Sequence, residues 1–166
     1  MKIDRTNEFN LGRFLEKYNL NRDLKIKRRD ERSLQITELD PADIKLESFH
    51  VGPSNFGCDN KDWQIGLKNS GRIPLDIVAL EALLENPDQI PECIRNMEGK
   101  GHTIVMTFDG TVLAHEDDRG PDGDERYSDV DEYILCLHND VLGLNVGLLR
   151  SYVGRACLGS DFSVVI

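Results

Sequence analysis

The stretch 102–113 constrains the fold more than any other part of the chain. Residues 102–108 read H-T-I-V-M-T-F, a β-branched and apolar run that suits a pleated surface better than a helix. Asp109-Gly110 follows, and then Thr111-Val112-Leu113. An Asp-Gly pair between two such runs is the pattern of a two-residue hairpin turn, so the spacing predicts two antiparallel strands reversing at 109–110. A further strand is expected over about 130–138 and another over 162–166, whereas V-L-G-L-N-V-G-L-L-R-S-Y fits strand or helix.

Helical spacing occurs twice. Leu11, Phe14, Leu15 and Tyr18 fall on one face of a helix that Asn7 or Thr6 would cap. Ile77, Leu80, Leu83 and Leu84 form the second stripe, with Pro74 in the first turn, Asp76 at the positive end and Asn86-Pro87 as the stop. Between them, Leu24 and Ile26 alternate with Lys25 and Lys27, and Leu34 and Ile36 with Gln35 and Thr37. That alternation predicts a hairpin around the charged R-R-D-E-R connection. Asp40-Pro41 breaks the chain, and Ile44, Leu46 and 49–51 predict a strand before the loop G-P-S-N-F-G-C-D-N. A short strand is expected around Trp63, Ile65 and Leu67, ending at N-S-G-R. These elements imply an α+β fold, an antiparallel sheet with about two packed helices. At 166 residues the expectation is a single domain, with an N-terminal helix and hairpin in 1–48 and the main α+β part in 49–166.

Charge is unevenly spread. The chain has 30 acidic and 20 basic side chains, net −10, which disfavours direct binding to nucleic acid or to an anionic membrane surface. Residues 116–132 hold nine acids against Arg119 and Arg126, and so supply −7 of that total. Within them G-P-D-G-D-E-R-Y-S-D has no apolar period, so 116–129 reads as an acidic loop between strands. Its acids Glu116, Asp117, Asp118, Asp122, Asp124, Glu125 and Asp129 are the candidate surface for a basic protein partner, because dense like charge selects a partner by sign. Asp122 and Asp124 offer a weaker alternative as ligands for a hard cation, since the spacing of an EF-hand is not met. No cofactor is implied.

The N-terminal decapeptide has no apolar core of a secretory signal. The apolar run 141–149 is far shorter than the roughly 20 residues that a membrane helix needs. A cytoplasmic location without membrane contact is expected, and the run 141–149 is a candidate strip for homo-oligomer formation. Cys58, Cys93, Cys136 and Cys157 show no C-x2-C pair and read as free thiols, with Cys136 and Cys157 in the core.

Catalytic spacing is sparse. I-V-M-T-F-D-G-T-V-L resembles the first motif of haloacid-dehalogenase-type phosphatases, an apolar strand followed by D-x-D-G-T. The resemblance implies Asp109 as acid/base but places Thr107 where the nucleophilic carboxylate belongs, so the covalent step has no carboxylate. His50, His102, His115 and His138 share no ligand spacing; His115 stands beside the acids of 116–118. The basic run 22–32 is diluted by Asp23, Asp30 and Glu31 and reads as a solvated hairpin. The segment 80–113 resembles small uncharacterised bacterial proteins with an N-P-x-x-I-P-E segment followed by F-x-G-T, matched here by Asn86, Pro87, Ile90, Pro91 and Glu92 and by Phe108, Gly110 and Thr111. That resemblance implies a small cytoplasmic protein of bacterial or phage origin and no known activity. The expected function is a non-enzymatic protein-binding module, inhibitor- or immunity-like, using its acidic surface. The alternative is a metal-dependent hydrolase with a site around Asp109 and His115.

Overall fold

A computed structural model describes residues 1–6, 8–20, 23–48, 60–95, 105–115, 132–140, 143–150 and 161–166. Its centre is one long strand, β3 (Val105–His115), buried along nearly its whole length. One edge of β3 pairs antiparallel with β4 (Glu132–Asp140), which pairs in turn with β5 (Gly143–Arg150). The other edge is shared. Its first part pairs in parallel with β6 (Asp161–Val165), Val105 to Thr107 lying opposite Asp161 to Ser163. Its last part, Thr111 to His115, pairs antiparallel with β1 (Leu24–Arg29). Outside β6 lies β2 (Lys45–Glu47). The fold is therefore α+β with a mixed sheet of six strands, not a purely antiparallel one.

The predicted reversal at 109–110 does not occur. Phe108 and Val112 face the consecutive residues Leu135 and Ile134 of β4, so Asp109, Gly110 and Thr111 bulge out of a strand that keeps its direction. A hairpin turn of the expected kind needs positive φ at both central residues, and among the described residues only Asn19 and Gly71 have it. The glycine serves close approach instead. Where β6 and β1 leave a gap along β3, the Gly110 N–H donates to the Leu75 carbonyl at 3.0 Å and its carbonyl accepts from the Asp30 N–H at 2.9 Å. A Cβ on Gly110 would stand 2.8 Å from Ser33 Oγ and 2.9 Å from both the Asp76 nitrogen and the Leu75 carbonyl carbon.

The predicted hairpin over 24–37 is replaced by strand and helix. β1 runs to Arg29, and the Asp30 carboxylate then accepts from the Arg32 and Ser33 N–H groups, starting the single turn α2 (Glu31–Leu34). Residues 37–39 pair with the N-terminal residues instead, Ile3 donating to the Thr37 carbonyl and Lys2 bridging Glu38. The first helix, α1 (Leu11–Lys17), begins later than expected because Asn10, not Asn7 or Thr6, caps it by accepting from the Arg13 N–H at 2.9 Å. Trp63 and Leu67 lie in a helix, α3 (Asn60–Asn69), not in a strand; their i,i+4 spacing puts both on its buried side, and Gly71 ends it with a φ of 72°. The predicted second helix is α4 (Ile77–Glu85), capped by Asp76. Pro74 lies before it, bridged to Val165, so 73–75 runs strand-like between β6 and Gly110. A last turn, α5 (Glu92–Arg95), follows Pro91.

Alternation along the strands sorts the two faces. Met106, Phe108, Leu135, Leu137 and Val164 join Leu75, Ile77, Leu80 and Leu83 in the main core, which also takes in Ile3, Phe14, Ile36 and Leu39. Val165 points the other way, into a smaller cluster with Trp63 and Leu67 of α3. The middle stretch 141–152 resolves to strand over 143–150. Cys136 is buried and Cys93 exposed, neither in a disulfide, while Cys58 and Cys157 lie outside the described residues; of the strand expected from Ile44 to Val51, 45–47 is β2 and 49–51 lie outside them. No helix among the described residues is long and apolar enough to cross a membrane.

Because Gly110 has backbone and a hydroxyl where a Cβ would go, Gly110→Ala is expected to destabilise the fold by roughly 2–3 kcal/mol through overpacking. A urea melt against the wild type measures it, and an unchanged midpoint would contradict the close approach.

Candidate functional site

The sheet face under α3 is polar where the opposite face is apolar. Thr107 and Ser163 are register partners in the parallel pair β3–β6, and both point toward α3. Between them the Asp109 carboxylate accepts from Thr107 Oγ1 at 2.6 Å and from the Ser163 hydroxyl, while Trp63 Nε1 donates to Ser163 Oγ at 2.9 Å. Asp109 is 4% exposed and Ser163 fully buried. A carboxylate so far from bulk water is tolerable only when hydroxyl donors replace its hydration.

Asp109 and Gly110 form the floor of a cleft of about 630 Å³. The end of β1 contributes Arg28 and Arg29, α2 contributes Arg32, and α3 contributes Gln64 and Lys68. Helical geometry is what brings the last two together, since Gln64 and Lys68 are four residues apart and Gln64 is three from Leu67, which also lines the cleft. Charge in the cleft is partly spent. Arg32 pairs with Asp30 at 2.7 Å and donates to the Arg72 carbonyl at 2.9 Å. Burial alone would raise the Asp30 carboxyl, but hydrogen bonds from the Arg32 side chain and from the Arg32 and Ser33 N–H groups outweigh it and hold the group below the usual carboxylate range.

The expected partner-binding acids, Glu116, Asp117, Asp118, Asp122, Asp124, Glu125 and Asp129, lie outside the described residues. The structure does fix the ends of their segment: Ala114 of β3 lies opposite Glu132 of β4, and Glu132 pairs with Lys27 at 3.2 Å. Asp109 and His115 are not brought together. Both lie on β3, six residues apart, which is about 20 Å of extended chain. His115 instead packs edge-on against Tyr133 at 5.5 Å, with its Nε2 3.4 Å from the tyrosine hydroxyl. Among the described residues no group of three or more His, Cys, Asp or Glu is placed to hold a metal ion.

Sequence reasoning missed the cleft. Its basic side had a signal in R-R-D-E-R, but a hairpin reading sends those side chains to solvent. Its other wall was hidden because a strand over 63–67 would turn Gln64 and Lys68 away from Trp63 and Leu67. Comparison with protein-family models, curated proteins and solved structures finds no match to this chain.

Two outcomes follow from this geometry. Ser163→Ala removes the hydroxyl that accepts from Trp63 Nε1 and donates to Asp109, and should cost about 2 kcal/mol; Trp63 is the sole tryptophan, so its emission reports the loss directly. The Asp30 carboxyl is lower in the folded chain than in the unfolded one, so its contribution is complete above the unfolded value and fades as pH falls through the folded one. Asp30→Asn keeps the cap and should flatten the loss of stability below about pH 4 by under about 1 kcal/mol, because the pair is partly solvent-screened. Acid titration of the melting temperature for both proteins tests this; parallel curves would show that the ion pair carries no such term.

Proposed function

We propose that this chain is a non-enzymatic interaction protein that meets a basic protein partner through the acidic connection 116–132. One observation carries the reading. The connection joins strands already paired at Ala114 and Glu132, a junction that a turn of two to five residues usually closes, yet the chain places there most of its net charge. A connection longer than the junction needs and rich in one sign is suited to electrostatic capture, raising the encounter rate and excluding partners of like charge. Support also comes from Asp109, whose carboxylate is engaged by Thr107 and Ser163 and is far along β3 from His115, so the hydrolase alternative lacks a convergent pair. An inhibitor- or immunity-like role, in which the acidic connection occupies a basic surface of the target, is the form of interaction that this charge pattern suits.

The test is affinity capture at low salt with stepwise salt elution, run in parallel on the wild type and on the quadruple variant Asp117→Asn, Asp118→Asn, Asp122→Asn, Asp124→Asn. The wild type should retain a basic protein that leaves at moderate salt, the variant should not, and its stability should shift by less than about 0.5 kcal/mol. Equal capture by the variant would remove the acidic connection as the binding element.

A further inference from the structure

Among the described residues three strands stand at the borders of the sheet, and two of them are guarded. β2 is three residues long and carries Lys45 and Glu47. β1 carries Lys25, Lys27, Arg28 and Arg29 and is broken by a bulge between Ile26 and Arg28. Short length, charge and bulges are the devices that keep a strand edge from adding a further strand. β5 has none of them. Its eight residues run in unbroken register with β4, 143–149 contain neither a charged residue nor a proline, and among the described residues no strand pairs with its outer edge. Leu144, Val146 and Leu148 pack against the main core, yet 144–149 are all only half-buried. The sheet therefore ends on an uncharged edge whose apolar side chains are incompletely covered.

We propose that β5 is the contact through which two copies of this chain pair, edge to edge and antiparallel about a two-fold axis, so that their sheets join into one. Charge selects both the occupant and its direction. A chain of net charge −10 repels its own copy, so a self-contact belongs where charged side chains are missing, as over 143–149. The acidic connection 116–132 is rooted at Ala114 and Glu132, next to the pair formed by Tyr133 and Arg150. A parallel pairing would set the two roots side by side. Antiparallel pairing of β5 with itself sends them to opposite ends of the joined sheet, about 25 Å apart along the strands, beyond the screening length of about 8–10 Å at ordinary salt. The two-fold axis makes every contact occur twice, and the half-buried apolar rows of one copy continue into those of the other. A charged peptide strand from another protein is the poorer fit, since 143–149 offer it no charge to read.

Sedimentation velocity of the full chain from about 1 to about 300 μM covers the range expected of a small interface, and the wild type should pass from monomer to dimer within it. Raising salt should strengthen the dimer, because repulsion between two acidic copies is screened, whereas capture by the acidic connection weakens. The quadruple acidic variant should dimerise at least as tightly as the wild type, so loss of capture and loss of the dimer are read separately. Leu149→Lys sets a cation on the edge of each copy and should weaken dimerisation by about tenfold or more. Amide hydrogen exchange on the wild type localises the contact without any substitution: protection over 143–150 should rise with concentration while that of β1 stays constant. A wild type monomeric throughout, a dimer that salt dissociates, or equal association of a folded Leu149→Lys chain would overturn the proposal. So would protection over 143–150 that is already full at the lowest concentration, which places the cover within one chain, or that appears only when a basic protein is added.

Discussion

Everything near the centre of this fold depends on one residue having no side chain. At Gly110 the edge of β3 passes from a parallel partner, β6, to an antiparallel one, β1, and neither strand covers the gap. Two other backbones fill it. Leu75 receives the Gly110 N–H and passes its own N–H to Val164 of β6, while Asp30 donates to the Gly110 carbonyl. Those two segments are also the caps of α2 and α4, so the start of each helix is tied to the middle of the sheet. Arg5 locks the arrangement from outside: its guanidinium pairs with Asp76 at 2.9 Å and donates to the carbonyls of Ser33 and Ile36 at 2.8 and 2.6 Å. Asp76 is completely buried, and a charge there is tolerable because Arg5 and the Ala79 N–H both satisfy it.

The two faces of the sheet are held by different interactions. The α4 face is packed with aliphatic and aromatic side chains and joins the N-terminal residues to the main core. The α3 face has only a small cluster of Trp63, Leu67 and Val165, and beside it the strands present Thr107, Asp109 and Ser163. Polar residues on a buried strand face remove apolar area from the core and impose strict hydrogen-bond geometry, which is how a site is held still. The Trp63–Ser163–Asp109 chain therefore fixes the floor of the cleft while the apolar face supplies most of the burial.

Legibility from sequence followed how local the determining interaction is. The α4 stripe, the strands at 132–140 and 161–165 and the α+β class could be read because periodicity and capping chemistry act within a few residues. Asp109-Gly110 misled because the same dipeptide that permits a reversal also permits close backbone approach, and only the contact with Leu75 and Asp30, distant in sequence, decides between them. Trp63, Ile65 and Leu67 satisfied a strand alternation, yet Trp63 and Leu67 also satisfy helical spacing, and the small cluster with Val165 selects the helix. The parallel pairing of β3 with β6 has no local signature at all. For the same reason the cleft, assembled from β1, α2, α3 and β3, left only its basic run visible in the sequence.

The position of β6 has a consequence for how the sheet assembles. β2 reaches the sheet only through β6, with Lys45 opposite Val165, and β6 is the last strand in chain order while lying between β2 and β3. The strand 45–47 must therefore wait for a segment at the far end of the chain before its hydrogen bonds can form. Closing such a long loop is entropically costly before any contact compensates it, and long-range parallel pairing slows folding. The β3–β4–β5 meander joins strands consecutive in the chain, so it is expected to form first and the β2–β6 side to dock onto it afterwards.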